Sequence, residues 1–138
     1  MRLSLGFPSR EAEAAMLAGR GLCLDQLTER LTATNLLGLQ MQVRQQHCER
    51  ALIDYVLDLV QASRRGEGRH GPLSPRAGLA LLQAARAWAL ISGRHYVIPA
   101  DVQAVFAAVA EHRLDGGQAT MTSRPFSLEL LEQVDAIR

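Results

Sequence analysis

Arg76 is the residue whose type and position most invite chemistry. It follows Ser74-Pro75, a pair that opens a helix. The serine hydroxyl can cap the first turn, and proline at the first helical position gives up an N–H that has no acceptor there. Arg76 then stands in the first turn, where a cation opposes the helix dipole by roughly 0.3–1 kcal/mol. The position becomes intelligible if an anion shares that helix end, because free backbone N–H groups and an adjacent guanidinium together make a phosphate pocket. The alternative is a surface arginine turned toward water or a nearby carboxylate.

The other chemically capable residues are weaker candidates. His47, Cys48 and Glu49 are adjacent and could suggest a metal or thiol site, but no second cluster has ligand spacing, so no metal site is expected. Arg64, Arg65, Arg69 and His70 form a short basic stretch that reads as a solvated helix end and loop, with contact to phosphate or to a neighbouring subunit as the alternative. Trp88 falls on an apolar helix and is expected in the core. His95 and His112 have no evident acid–base partner, and no Ser/His/Asp arrangement is defensible. No catalytic residue is assigned in this chain.

The absences are equally informative. All 15 basic residues are arginine and none is lysine. A phosphate-binding P-loop needs a lysine on the β- and γ-phosphates, and a Schiff-base enzyme needs one as its amine. Neither site can exist within these residues. The formal net charge of +1 lacks the basic excess of a general nucleic-acid binder, so nucleic acid is not an expected partner. Cys23 and Cys48 are too few and too far apart for a disulfide framework, and both are expected to be reduced and packed. The run Met1-Arg2-Leu3-Ser4-Leu5 is too short for a signal peptide. Leu79 to Ile91, the richest apolar stretch, is broken by Gln83 and Arg86 and cannot span a bilayer. A cytoplasmic chain is expected.

Helices must position these residues. Of the 138 residues 48% are hydrophobic but only 4% aromatic, and Ala and Leu dominate. That balance favours an all-α fold, a small helical bundle. Leu3, Leu5 and Phe7 alternate with Arg2, Ser4 and Gly6, which predicts a half-buried strand whose sheet lies outside the chain. A disordered tail is the alternative. Pro8-Ser9 starts a helix that runs to about Leu17 and stops near Gly19 and Gly21. Residues 20 to 33 are a connector, with one short turn around Leu24 to Leu31. Thr34 is expected to cap a helix carrying Leu36, Leu37, Leu39 and Val43. The next carries Leu52, Ile53, Val56, Leu59 and Val60 at helical spacing and ends in Ser63-Arg64-Arg65-Gly66. The helix from Pro75 runs through Leu79, Leu82, Ala85, Trp88 and Ala89 to Ser92-Gly93. Another begins at Pro99-Ala100-Asp101 and carries Val102, Val105, Phe106 and Val109. Asp115-Gly116-Gly117 breaks the chain, and Leu130, Leu131, Val134 and Ile137 mark an amphipathic helix from Ser127.

Three stretches resemble the MoxR family of AAA+ ATPases. Gly71-Pro72-Leu73-Ser74-Pro75-Arg76-Ala77, with the helix Leu79-Ala80-Leu81-Leu82-Gln83-Ala84-Ala85-Arg86-Ala87-Trp88-Ala89-Leu90, is similar to the family's sensor 2 region. Gly93-Arg94-His95-Tyr96-Val97-Ile98-Pro99-Ala100-Asp101-Val102 resembles the segment that follows. Met1 to Ser9 resembles the strand and turn that close the family's nucleotide-binding core, and Tyr55, Val60 and Arg64 match the preceding lid helix. The resemblance covers about residues 1 to 17 and 34 to 114.

The resemblance implies three parts: residues 1–33 as the end of the nucleotide-binding core and a connector, 34–114 as a helical lid, and 115–138 as a C-terminal extension. It implies that Arg76 is the sensor 2 arginine, reaching the γ-phosphate of ATP. It implies ATP and Mg²⁺ as cofactors of an intact parent enzyme, with none expected on these residues alone. The expected partners are the chain's own AAA+ core, neighbouring subunits of a ring, usually a hexamer, and a protein bearing a von Willebrand factor A domain. The family acts as chaperone-like ATPases in protein and metalloenzyme maturation. Two alternatives stand beside this reading: a magnesium-chelatase-type ATPase lid, and a free-standing helical binding module, such as a helix-turn-helix DNA binder using the helix from Pro75.

Overall fold

A computed structural model describes residues 1–20, 27–65, 71–116 and 125–136. They form six helices: α1 (Arg10–Leu17), α2 (Ala33–Gln45), α3 (Arg50–Arg64), α4 (Pro75–Ile91), α5 (Pro99–Leu114) and α6 (Phe126–Gln133). Among the described residues there is no strand, only an isolated parallel bridge between His47 and Tyr96. The fold is all-α, as composition predicts.

Local chemistry sets most helix ends. The Ser9 hydroxyl accepts the Ala12 N–H at 3.2 Å, Glu11 and Glu13 occupy the favourable first turn of α1, and Gly19 follows its end with φ +69°. Ser74 caps α4, and Gly93 ends it with φ +74°. The cap of α2 is Thr32, not Thr34. Thr32 has the extended backbone of a cap residue and accepts the Asn35 N–H at 3.1 Å, which leaves Thr34 inside the helix. In α5 the Asp101 carboxylate accepts the Ile98 N–H at 2.9 Å, half of a capping box whose other half an isoleucine cannot supply.

The core lies among α3, α4, α5 and α6. On α3 it takes Leu52, Val56, Leu59 and Val60 of the predicted stripe together with Tyr55 and Ser63, while Ile53 is only partly buried. On α5 it takes Val102, Val105, Phe106, Val109, Ala110 and Leu114. The largest interface joins α4 to α5, and α6 closes over α5 and α3 with Leu130 buried and Leu131 partly so, while Val134, expected on this helix, lies past its end in extended backbone and is partly buried. Ile137, Gly21 and the Leu24 end of the proposed connector turn lie outside the described residues.

One expectation fails. Trp88 is not core: it is 46% exposed, and Leu79 is 67% exposed. The buried positions of α4 are Ala77, Leu81, Ala85 and Ala89. An i, i+4 stripe advances about 40° around the helix per step, so at Ala89 the buried face lies about 100° away from Trp88. Residues 1 to 7 form no strand within this chain, and the sheet expected for them lies outside it. Leu5 and Phe7 are 100% and 97% exposed. Alternation of side chains alone does not make a strand; its backbone needs a ladder partner, and among the described residues that backbone makes one such contact, Arg2 N–H to the Ala108 carbonyl at 2.7 Å.

Candidate functional site

The N-terminus of α4 presents a charged side chain on a capped helix end. Ser74 Oγ accepts the Ala77 N–H at 3.3 Å, and Pro75 fills the first helical position. Arg76 therefore takes the second position, as the sequence predicts. Its side chain is exposed. Among the described residues no carboxylate pairs with it. Its own N–H lies in the first turn, where backbone donors have no intrahelical acceptor.

The loop before it is fastened at three points. The Gly71 N–H donates to the Leu114 carbonyl at 2.7 Å, at the end of α5. A side chain on Gly71 would collide with the Arg113 carbonyl oxygen, so the close approach requires glycine. The Leu73 N–H donates to Ser63 Oγ at 3.0 Å, and the same hydroxyl donates to the Val60 carbonyl at 2.6 Å. The Leu73 carbonyl accepts from Arg64 Nε at 3.1 Å. The Leu73 side chain is buried. Beside this loop an apolar cleft of about 410 Å³ runs between α3 and α4, lined by Ile53, Val60, Leu79 and Leu82 among others, with Arg64 and Pro75 at the same wall.

Sequence reading missed these anchors. Arg64 read as part of a solvated basic stretch, whereas it holds a loop nine residues ahead. Arg65 ends α3 as its C-cap, and Arg69 and His70 lie outside the described residues. The Arg94–Asp101 pair was likewise not legible. Both guanidinium NH₂ groups of Arg94 donate to the Asp101 carboxylate, whose side chain is almost wholly buried. Desolvation would raise the Asp101 pKa, but the Arg94 hydrogen bonds, the Ile98 N–H and the Arg94 charge outweigh it, and the carboxyl stays below its ordinary value. This pair holds the turn from α4 to α5, and the His47 and Val97 backbones stitch the α2–α3 junction to it at 3.1 and 3.0 Å.

The remaining candidates resolve quietly. His47 Nε2 lies 2.8 Å from Glu49 Oε1, both exposed. Among the described residues no three His, Cys, Asp or Glu side chains cluster to hold a metal. Cys48 is half-buried against the core; burial pushes its thiol pKa up, with Arg86 partly opposing. A raised pKa keeps it a thiol, the poorly nucleophilic form. Cys23 lies outside the described residues. His95 is exposed and hands its carbonyl to the His47 N–H. His112 is partly buried, its Nδ1 without a hydrogen-bond partner among the described residues, and burial and Arg113 hold its pKa below the ordinary histidine value. The helix from Pro75 packs its alanine face against α2, α3 and α5 and leaves Arg76, Leu79 and Trp88 exposed.

Comparison with known proteins agrees with this architecture. The AAA lid domain family matches residues 61–134, which include α4, α5 and α6. The chain belongs to that family. Among curated proteins it is similar to MoxR proteins. It is 37% identical over 122 residues to Chaperone MoxR1 of Mycobacterium tuberculosis, covering 82% of this chain and 32% of that protein. It is 41% identical over 81 residues to Protein MoxR of Paracoccus denitrificans, covering 49% of this chain and 24% of that protein. A crystal structure from Cytophaga hutchinsonii, described as an ATPase, superimposes with a TM-score of 0.76 over 97% of this chain and 45% of that one, at 19% identity. The chain thus spans about a third of the length of MoxR1. No helix among the described residues is long and apolar enough to cross a membrane.

Proposed function

We propose that this chain is the nucleotide-sensing lid of an ATPase that binds and hydrolyses ATP, with Arg76 as its sensor 2 arginine. The observation that carries the reading is the exposed guanidinium in the first turn of a capped helix, on a loop fastened to α3 and α5. Such an arrangement suits a phosphate: the arginine supplies charge-assisted donors and the helix end supplies N–H groups. ATP with Mg²⁺ brings the phosphoryl chemistry, and the P-loop lysine must come from a core domain, because this chain has no lysine. Alone, these residues offer one arginine and a helix end. One such contact does not offset the cost of immobilising a ligand.

In this reading residues 1–33 end the nucleotide-binding core, 34–114 form the lid, and 115–138 extend it. Leu3, Leu5 and Phe7, and Leu36, Leu37 and Met41 of α2, are the apolar surface that the core would cover. The lid would move as a body with nucleotide state and pass that state to the next subunit of a ring, usually a hexamer. A chaperone-like role in the maturation of other proteins, with a von Willebrand factor A domain partner, follows from the family, as does a cytoplasmic location.

The test is turnover. In the full-length ATPase carrying this lid, Arg76→Ala should slow hydrolysis by on the order of 10²–10³-fold, the usual cost of removing one donor to developing charge. The fold, read by circular dichroism, should be unchanged. The 138-residue chain by itself should show no ATPase activity. Turnover at the original rate in the variant, or hydrolysis by the chain alone, would refute the proposal.

A further inference from the structure

We infer that Ser63 and Arg64 are positioning residues for Arg76: a two-residue clamp at the end of α3 that grips the Leu73 peptide and so sets where the arginine stands. The inference rests on the sensor reading of Arg76 given above.

Both polar groups of one residue, Leu73, are held by consecutive residues of α3. Its N–H goes to Ser63 Oγ and its carbonyl takes the Arg64 Nε–H. The Ser63 hydroxyl is itself fixed, because its proton is committed to the Val60 carbonyl within the same helix. Its one O–H thus points into α3 and its lone pair points at the loop, so the direction of the bond to Leu73 is determined. The Leu73 side chain is 2% exposed, which stops the peptide from sliding along the clamp.

Little slack separates the clamp from Arg76. Only Ser74 and Pro75 intervene. The Ser74 side chain is occupied by the cap, and the Pro75 ring locks its φ. The position of the arginine backbone is therefore set by α3 rather than by α4 alone. The coupling also runs the other way: a force on Arg76 is delivered to the last turn of α3. Arg64 suits this place because its Nε–H lies on the stem and reaches the carbonyl while the head of the side chain stays in water. That exposure also makes Arg64 removable without emptying the core.

The experiment is a double-mutant cycle on ATP turnover in the full-length ATPase, with Arg64→Ala, Arg76→Ala and the pair together. Arg64→Ala is expected to lower kcat by about 10–100-fold with KM little changed, the scale of a misplaced group rather than a lost binding contact. In the Arg76→Ala background it should add nothing, because a residue that acts through Arg76 has nothing left to position. Hydrogen exchange at the Leu73 amide, on the full-length protein, reads the clamp directly. Ser63→Ala should speed exchange there by tenfold or more, on the order expected for a lost hydrogen bond, and Ser63→Thr, which keeps the hydroxyl, should restore protection. Effects that multiply in the double variant, or wild-type kcat in Arg64→Ala alone, would overturn the positioning role. If Arg76→Ala itself turns over normally, the sensor reading fails first, and the positioning role fails with it. Loss of Leu73 protection would then leave the clamp as scaffolding only.

Discussion

Gly71 shows how tightly one position can be specified by its surroundings. Its backbone runs against the end of α5, where a Cβ would meet the Arg113 carbonyl oxygen, a rigid main-chain atom that cannot turn aside. Gly71→Ala should therefore destabilise the protein by about 1–3 kcal/mol, the usual cost of overpacking. Urea denaturation of the variant checks this, and a loss below a few tenths would mean that the loop can lift from α5. The same displacement would release the Gly71 bond to the Leu114 carbonyl, one of the three anchors of the Arg76 loop. Arg76 differs in kind. It is exposed and no carboxylate pairs with it among the described residues, so its replacement belongs to activity rather than to stability. Ser63 and Arg64 stand between these cases: structural by contact, functional by what the contact positions.

Among the helices, α6 is held in a way its own sequence does not supply. It begins after Pro125 with no side-chain cap of its own. Its first free amides, Phe126 and Ser127, donate instead to the two oxygens of Glu111 on α5, at 3.0 and 2.8 Å. A carboxylate across a helix N-terminus both satisfies donors and complements the dipole. Glu111→Ala should cost about 1–2 kcal/mol, the upper range for a lost cap, and the loss should fall on α6 first. Hydrogen exchange is the measurement: α6 amides should lose protection while those of Leu59 and Val102 hold. Uniform loss across the chain would show that α6 is not separately latched. The helix α2 is the contrasting case, since it has no buried residue and, among the described residues, only α4 as a substantial neighbour.

The molecule as a whole should be most stable at neutral pH and above. Asp101 has a lowered pKa in the fold, so its contribution is full above the ordinary carboxylate range and is lost as pH falls through the folded value. His112 is also lowered, so the unfolded chain takes up a proton first, and stability begins to fall below the ordinary histidine value of 6.5. Both groups act in the same direction, in two successive windows. Urea midpoints measured against pH should decline in two steps. His112→Gln should remove the upper one and Asp101→Asn the lower. A midpoint that rises on acidification would contradict both assignments.

The sequence by itself determined the all-α class, the ends of most helices and the place of Arg76. The reason is that caps, prolines and glycines act within a few residues: Ser9, Ser74, Pro99 and Gly93 each terminate a helix through neighbours they can be read beside. The apolar stripe of α3 was legible for a related cause, since one helix carries it whole. Tertiary structure decided what depends on two elements meeting. The clamp of Ser63 and Arg64 on Leu73, the glycine at position 71, the Arg94–Asp101 pair and the Glu111 latch all join residues that no single helix carries together. Trp88 was misplaced because apolar periodicity says that a helix has a buried face but not how far that face winds. The alternation of Leu3, Leu5 and Phe7 predicted a strand, and only a partner could have made it one.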